Sequence, residues 1–255
     1  MSLPPFLRSK SAYIRYMYAQ THLEKLREQL SSAEKLDNFE LESLPDDERK
    51  KTIRCKNPPP VLLSWLLGDV IHSLRSALDY VTCGLVTLNK PNADLSHVQF
   101  PFGRKGERLN SGQRKRIESI SDEALEAIEH MRAEYGEGLS LLCEFSNQDK
   151  HRFLMPAYSH LVSFRFAADT RTSNSTTMSV QPLAGHEKLL PLRDGEIVDF
   201  RDGTLKTVKI GFQLEAGGAS YRSESIDLIN DAVRQTLNEL LPLTQSPVPA
   251  QGVYP

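Results

Sequence analysis

Cysteine is scarce in this 255-residue chain. Cys55, Cys83 and Cys143 are odd in number and widely spaced. No CxxC pair occurs, which excludes a zinc ribbon and argues against a disulfide framework. Reduced thiols in a cytoplasm fit better. An excess of one charge is lacking too. The net charge is −2 and the sequence pI about 6.4. No global basic field advertises nucleic acid, so any such contact has to be local. The opening stretch "MSLPPFLRSKSAYIRYMY" has no uninterrupted apolar core of the signal-peptide kind. The longest apolar run, "VLLSWLLGDVI", is about half of what spans a bilayer, and Asp69 interrupts it. No Walker motif, nucleophile elbow or dinucleotide fingerprint occurs. "EAGGASY" reads as a hairpin turn, because a phosphate loop needs a helix after its glycines. These absences point to a soluble, cytoplasmic protein with no membrane contact and no cofactor.

What is present is ordinary for a globular chain: 39% apolar and 25% charged residues. The length suits one large domain or two small ones. Residues Ser9 to Lys35 carry Tyr13, Tyr16, Met17, Leu23, Leu26 and Leu30 at helical spacing. "FELES" and "KTIRCK" flank a Pro-Asp-Asp turn and predict a short β-hairpin near residues 38–56. Pro58 to Pro60 end that stretch and permit a helix from about Pro60 to Leu88. A turn-rich loop follows. A third helix is expected across "SDEALEAIEHMRAEY", capped by Ser121. A fourth starts near Leu139 and passes through "LSLLCEFSNQDKHRFLMPAY".

Composition changes near Ser159. "LVSFRFAA", "TTMSVQPL", "EIVDF" and "TVKIGFQLEA" alternate in the manner of strands separated by turn formers. "SIDLINDAVRQTLNELLPL" then reads as a helix with Ser225 as its cap and Ile226, Ile229, Val233, Leu237, Leu240 and Leu241 as its apolar stripe. The expected fold class is therefore α+β. A helical bundle occupies 1–158 and an inserted antiparallel sheet 159–224. A C-terminal helix at 225–243 returns to the bundle, and a Pro-rich tail occupies 244–255.

The chemistry is concentrated on two helices. At about 100° per residue, His72, Arg75, Ser76 and Asp79 fall within a quarter turn of one another on a helix that is otherwise largely apolar. Glu144, Asn147, Gln148 and His151 share one face of the fourth helix, flanked by Lys150 and Arg152. Polar groups buried without partners cost a few kcal/mol each, so the two stripes should face one another. Either they form a structural network that fixes helix packing, or they line a ligand or catalytic site. His72, Asp79, Glu144 and His151 are competent metal ligands, but no local spacing matches a metal motif, and no metal is expected. "GRKGERLNSGQRKRIES" places Arg104, Lys105, Arg108, Arg114, Lys115 and Arg116 in one segment. That segment is either a solvated loop or a phosphate contact.

The segments "LGDVIHSLRSALDY", "FPF" and "SNQDKHRFL" resemble, in that order, a family of largely uncharacterised bacterial proteins. The likeness spans about Pro60 to Tyr158. A second resemblance is to HEPN-domain proteins, helical and often dimeric. Many of them are RNases that bring an Arg and a following His to a dimer interface. Arg75 matches the Arg of that pattern. Tyr80 stands where the His would be, and tyrosine is a poor base near neutral pH.

The resemblance implies a HEPN-like bundle that acts on RNA or binds a nucleotide, with a homodimer and a role in bacterial stress or phage defence among its expectations. If the protein is an enzyme, it would be a metal-independent endoribonuclease. Arg75, His151, His72 and Asp79 would be its catalytic groups, and Asn147, Glu144, Lys150, Arg152 and Tyr80 would bind substrate. The alternative is a non-enzymatic scaffold or partner-binding protein that keeps the polar network for packing.

Overall fold

The structure, a computed structural model, describes residues 5–33, 39–56, 61–149 and 224–245, together with the strand segments 155–161, 166–167, 190–191, 196–199, 204–205, 209–216 and 219–222. The chain divides into two units. One comprises Met1–Glu24, Leu66–Phe153 and Glu224–Pro255; the other comprises Lys25–Trp65 and Leu154–Ser223.

The first unit is built from helices α1 (Pro5–Ala33), α2 (Val61–Asn89), α3 (Ser111–Arg116), α4 (Asp122–Glu134), α5 (Gly136–Asp149) and α6 (Ser225–Leu243), with α1 and α2 contributing the parts that fall in its range. α2 is its central element. Leu67, Val70, Ile71, Leu74, Ala77, Leu78, Val81, Leu85 and Val86 are all at most 2% exposed, so the helix is covered on most sides. Its hydroxyls cost little there. Thr82 donates to the Leu78 carbonyl and Thr87 to that of Cys83, each at 2.8 Å. By length and composition α2 could cross a membrane, but 61% of its apolar window is buried inside the fold, as in the core helix of a soluble protein.

α6 lays Ile226, Ile229, Val233, Leu237 and Leu240, all buried, against α5 and α4. The α5–α6 approach is close enough to require a glycine. A Cβ at Gly138 would lie 2.6 Å from the Leu228 carbonyl oxygen and 2.7 Å from the Ala232 methyl. α4 starts as its sequence dictates, with the Ser121 hydroxyl accepting from Ala124 N at 3.2 Å.

In the second unit the described strands are β1 (Phe39–Leu44), β2 (Asp47–Cys55), β3 (Met155–Leu161), β4 (Phe166–Ala167), β5 (Leu190–Pro191), β6 (Glu196–Asp199), β7 (Thr204–Leu205), β8 (Lys209–Ala216) and β9 (Ala219–Arg222). β1 and β2 pair antiparallel from Phe39↔Cys55, and β3 and β8 from Met155↔Glu215 to Leu161↔Lys209.

The α+β expectation is corrected by the packing. The described body of the molecule is helical, and its hydrophobic core is drawn from the helices and from the connection between α2 and α4. The physical reason is that the helical stripes satisfy one another. The buried apolar face of α6 packs on α4 and α5. Read over its helical unit, the fold class is accordingly all-α rather than a bundle with an inserted sheet; the described strands belong to the second unit.

Smaller corrections follow the same logic. On α1 the buried residues are Ala12, Ala19, Leu23 and Leu26, whereas Tyr13 and Met17 are 55% and 45% exposed. The seam runs through Ala12, Ala19, Leu23 and Leu26, so two leucines of the expected stripe are buried and Tyr13 and Met17 are not. α6 is preceded by Glu224 as N-cap, with no side-chain capping bond, so Ser225 is its first residue and not its cap. α5 ends at Asp149, and Met155–Leu161 is extended where a helix was expected. The charged run after Asn110 is not all loop. Asn110 and Gln113 form a reciprocal capping box, which starts α3 and places Arg114, Lys115 and Arg116 on a helix.

Candidate functional site

The two polar stripes meet through Arg75. Its side chain is 11% exposed, and its guanidinium is shared among several groups. Nη1 donates to the Ser146 hydroxyl at 3.1 Å and, at 3.4 Å, to Oδ1 of Asn147; Nη2 donates to Oε1 of Gln99 at 3.4 Å. Nε lies 3.9 Å from the Asp79 carboxylate one turn along α2. The guanidinium also sits over the Phe102 ring, 5.0 Å from its centroid. Arg75 of α2 thus contacts Asn147 of α5 directly, as stripes buried on facing helices should.

Asp79 does a second thing. Its Oδ1 accepts the backbone N–H of Phe100 at 2.8 Å and so docks the loop after α2 onto the helix. That loop folds tightly. Phe102 N donates to Phe100 O at 3.0 Å, and the two rings meet edge to face with centroids 5.0 Å apart. Gln113 of α3 donates its side-chain amide to the Phe102 carbonyl.

Around this arrangement lies an open cavity of about 360 Å³, lined by Arg75, Gln99, Phe100, Pro101, Phe102, Gln113, Arg116, Cys143 and Asn147. Two guanidinium groups and three carboxamides converge there on a floor made partly of aromatic rings. The Cys143 thiol accepts from the Asn147 amide at 3.6 Å. Such a lining offers many donors and a positive charge, suited to an oxyanion with a planar group attached.

The other expected site residues are distributed differently. His72 is exposed on α2 and does not line the cavity. Tyr80 is drawn to α1, where the Arg15 guanidinium lies 6.0 Å from its ring centroid. Glu144 is half-buried on α5 and engaged in an interaction, but is not part of the lining. Lys150, His151 and Arg152 lie outside the described residues. No described histidine lines the cavity. Among the described residues no group of three His, Cys, Asp or Glu is placed to hold a metal ion.

Gln99, Gln113 and Arg116 were not singled out as site residues by the stripe argument. The signal for them was indirect: the "FPF" segment and the basic stretch flank one another in sequence, and the capping box folds Gln113 back onto Phe102. The chain matches no family model, no curated protein and no solved structure.

Proposed function

We propose that the cavity between α2, α3, α5 and the Gln99–Phe102 loop binds a phosphate-bearing ligand, a nucleotide or a segment of single-stranded RNA, in the cytoplasm. One observation carries the reading: Arg75 and Arg116 line the same open cleft together with three carboxamides and aromatic rings. Guanidinium groups match phosphate bidentately, and carboxamides can pair with base edges. The resemblance to HEPN-type RNA-acting proteins, carried by Arg75, agrees with it. In a cleavage reaction Arg75 would stabilise charge building on the phosphorane. His151 remains the proton carrier to test, since His72 lies off the cleft.

A second reading has its own support. Asp79 docks the loop and pairs with Arg75, which is what a packing network in a scaffold protein would do. Fluorescence anisotropy with labelled single-stranded RNA and competing AMP, in EDTA, separates the two. The binding reading expects saturable binding by the wild type and a loss of about tenfold in Arg116→Ala, one good charged contact. Gel analysis of the same RNA beside His151→Ala reports cleavage. No binding by the wild type sinks the proposal and leaves the scaffold reading.

A further inference from the structure

Arg132 of α4 is 2% exposed, yet Nε, Nη1 and Nη2 of its guanidinium have no hydrogen-bond partner. Such a group is costly in a fold unless something answers it. Its position is set by the helix. Arg132 follows Ile128 by one turn and Ala124 by two, and both are fully buried, so it points to the core face. The nearest carboxylates are already taken. Glu129 pairs with Arg114 at 2.8 Å, and Glu107 accepts the backbone N–H of Arg104 at 3.2 Å. Burial pushes the guanidinium pKa below its usual value, with Glu129 and Glu107 opposing that only at a distance. An arginine nonetheless stays charged at neutral pH.

The cover over this cation is thin and specific. A Cβ at Gly103 would lie 2.0 Å from Arg132 Nη2. The guanidinium therefore occupies the space that any other residue at 103 would fill. Gly103 itself is only half-buried, and Arg104 and Lys105 beside it are exposed. The segment that follows is a self-contained turn: Arg104 N is held by the Glu107 carboxylate and Glu107 N donates to Arg104 O at 3.1 Å. It makes no described hydrogen bond to α4, and its main chain rests on the start of α5, where a Cβ at Gly136 would lie 2.7 Å from Lys105 Cα.

We propose that Arg132, the main chain at Gly103 and the flanking Arg104 and Lys105 form an oxyanion site that takes a phosphate group, separate from the cleft at Arg75. The five N–H donors of the fork engage two phosphate oxygens, and the bound anion answers the charge that the fold leaves unpaired. The flanking cations draw the anion in, and a small movement of the Gly103 turn admits it. The chemistry is the same for free phosphate and for the phosphomonoester of a nucleotide, so both are tested.

The experiment is thermal melting of the full chain in sodium phosphate, in AMP and in sodium chloride at matched ionic strength. The comparison includes Arg132→Met, Arg132→Lys, Gly103→Ala and Arg116→Ala. The expected result is a phosphate-dependent rise of a few degrees in the wild type and in Arg116→Ala, whose cleft is weakened, and its loss when Arg132→Met is added to Arg116→Ala. Arg132→Lys should need about tenfold more phosphate for the same rise, because it loses the fork. Gly103→Ala should also lose the response, since its methyl displaces the guanidinium. An equal rise with AMP and with phosphate identifies the monoester group as the ligand; a rise with phosphate alone identifies the free ion.

No rise in Arg116→Ala, or a rise that persists when Arg132→Met is combined with Arg116→Ala, overturns the site. A rise lost in Arg116→Ala and kept in Arg132→Met overturns it as well, and assigns the anion to the cleft. If Arg132→Met does not fold, Gly103→Ala decides in its place. Absence of RNA binding at the cleft leaves this result untouched.

Discussion

Arg75 is held by a hydroxyl, two carboxamides, a carboxylate and an aromatic face, and it is the loss of all of these together that its truncation measures. Removing the side chain takes a cation from beside Asp79 and a donor from Ser146, while Asp79 keeps about a third of its side chain in water. The cost therefore falls below that of a fully buried broken pair. Arg75→Ala should lower stability by about 2 kcal/mol, between the value for a lost charged hydrogen bond and the 3–5 kcal/mol of a sealed ion pair. Chemical denaturation with an unchanged m-value checks it. An unaltered midpoint would mean that the cleft, not the fold, is what Arg75 serves. Asp79→Ala tests the other half of the network. It strips the acceptor from the N–H of Phe100, a residue only 1% exposed, and should cost about 1–3 kcal/mol. Its signature is local. The Phe100 amide should exchange with solvent much faster than in the wild type, and equal protection in the two would remove Asp79 as the latch of the loop.

At the scale of elements, α2, α4 and α6 were legible because their periodicity is strong, and the cap at Ser121 could be read from sequence directly. Substituting Ser121 by Ala should cost about 1 kcal/mol, the usual value of a lost N-cap, read as a fall in melting temperature. Other features were not local properties and could not be read. The strand-like alternation after Ser159 says only that a segment could be extended, not which partner it pairs with. Tyr80 entered only through the resemblance to the HEPN pattern, and the helix presents it to Arg15 of α1. Arg132 had a visible sign, an arginine at the core spacing set by Ala124 and Ile128. The sign pointed to burial without saying against what. In sequence "GEG" signals a helix break, yet Gly138 lies inside α5, where its missing Cβ lets α6 come near. Gly138→Ala gains up to about 1 kcal/mol of helix propensity. It also forces a methyl against the Leu228 carbonyl, a backbone atom that cannot step aside. Overpacking of that kind costs about 1–3 kcal/mol, so the net change should be destabilising. A variant more stable than the wild type would show that the α5–α6 spacing relaxes.

For the whole molecule, the charge balance decides how binding should respond to salt. A net charge of −2 gives no long-range attraction for a polyanion, so affinity for RNA has to come from the few cations that line the cleft. Arg75 and Arg116 are the two guanidinium groups in that lining. Each phosphate contact to a single strand contributes a slope of about −0.7 to the logarithm of the binding constant against the logarithm of salt concentration. Two contacts predict about −1.4. Arg116→Ala should bring the slope to about −0.7 while weakening binding at every salt concentration. A wide basic surface would behave otherwise: with Arg104, Lys105, Arg108, Arg114 and Lys115 also engaged, the slope would be several times steeper and nearly indifferent to the loss of one arginine. Anisotropy titrations across a series of salt concentrations distinguish the cases. A shallow slope halved by Arg116→Ala places the phosphates in the cleft; a slope near zero would mean that whatever the cleft holds is not recognised by its phosphate.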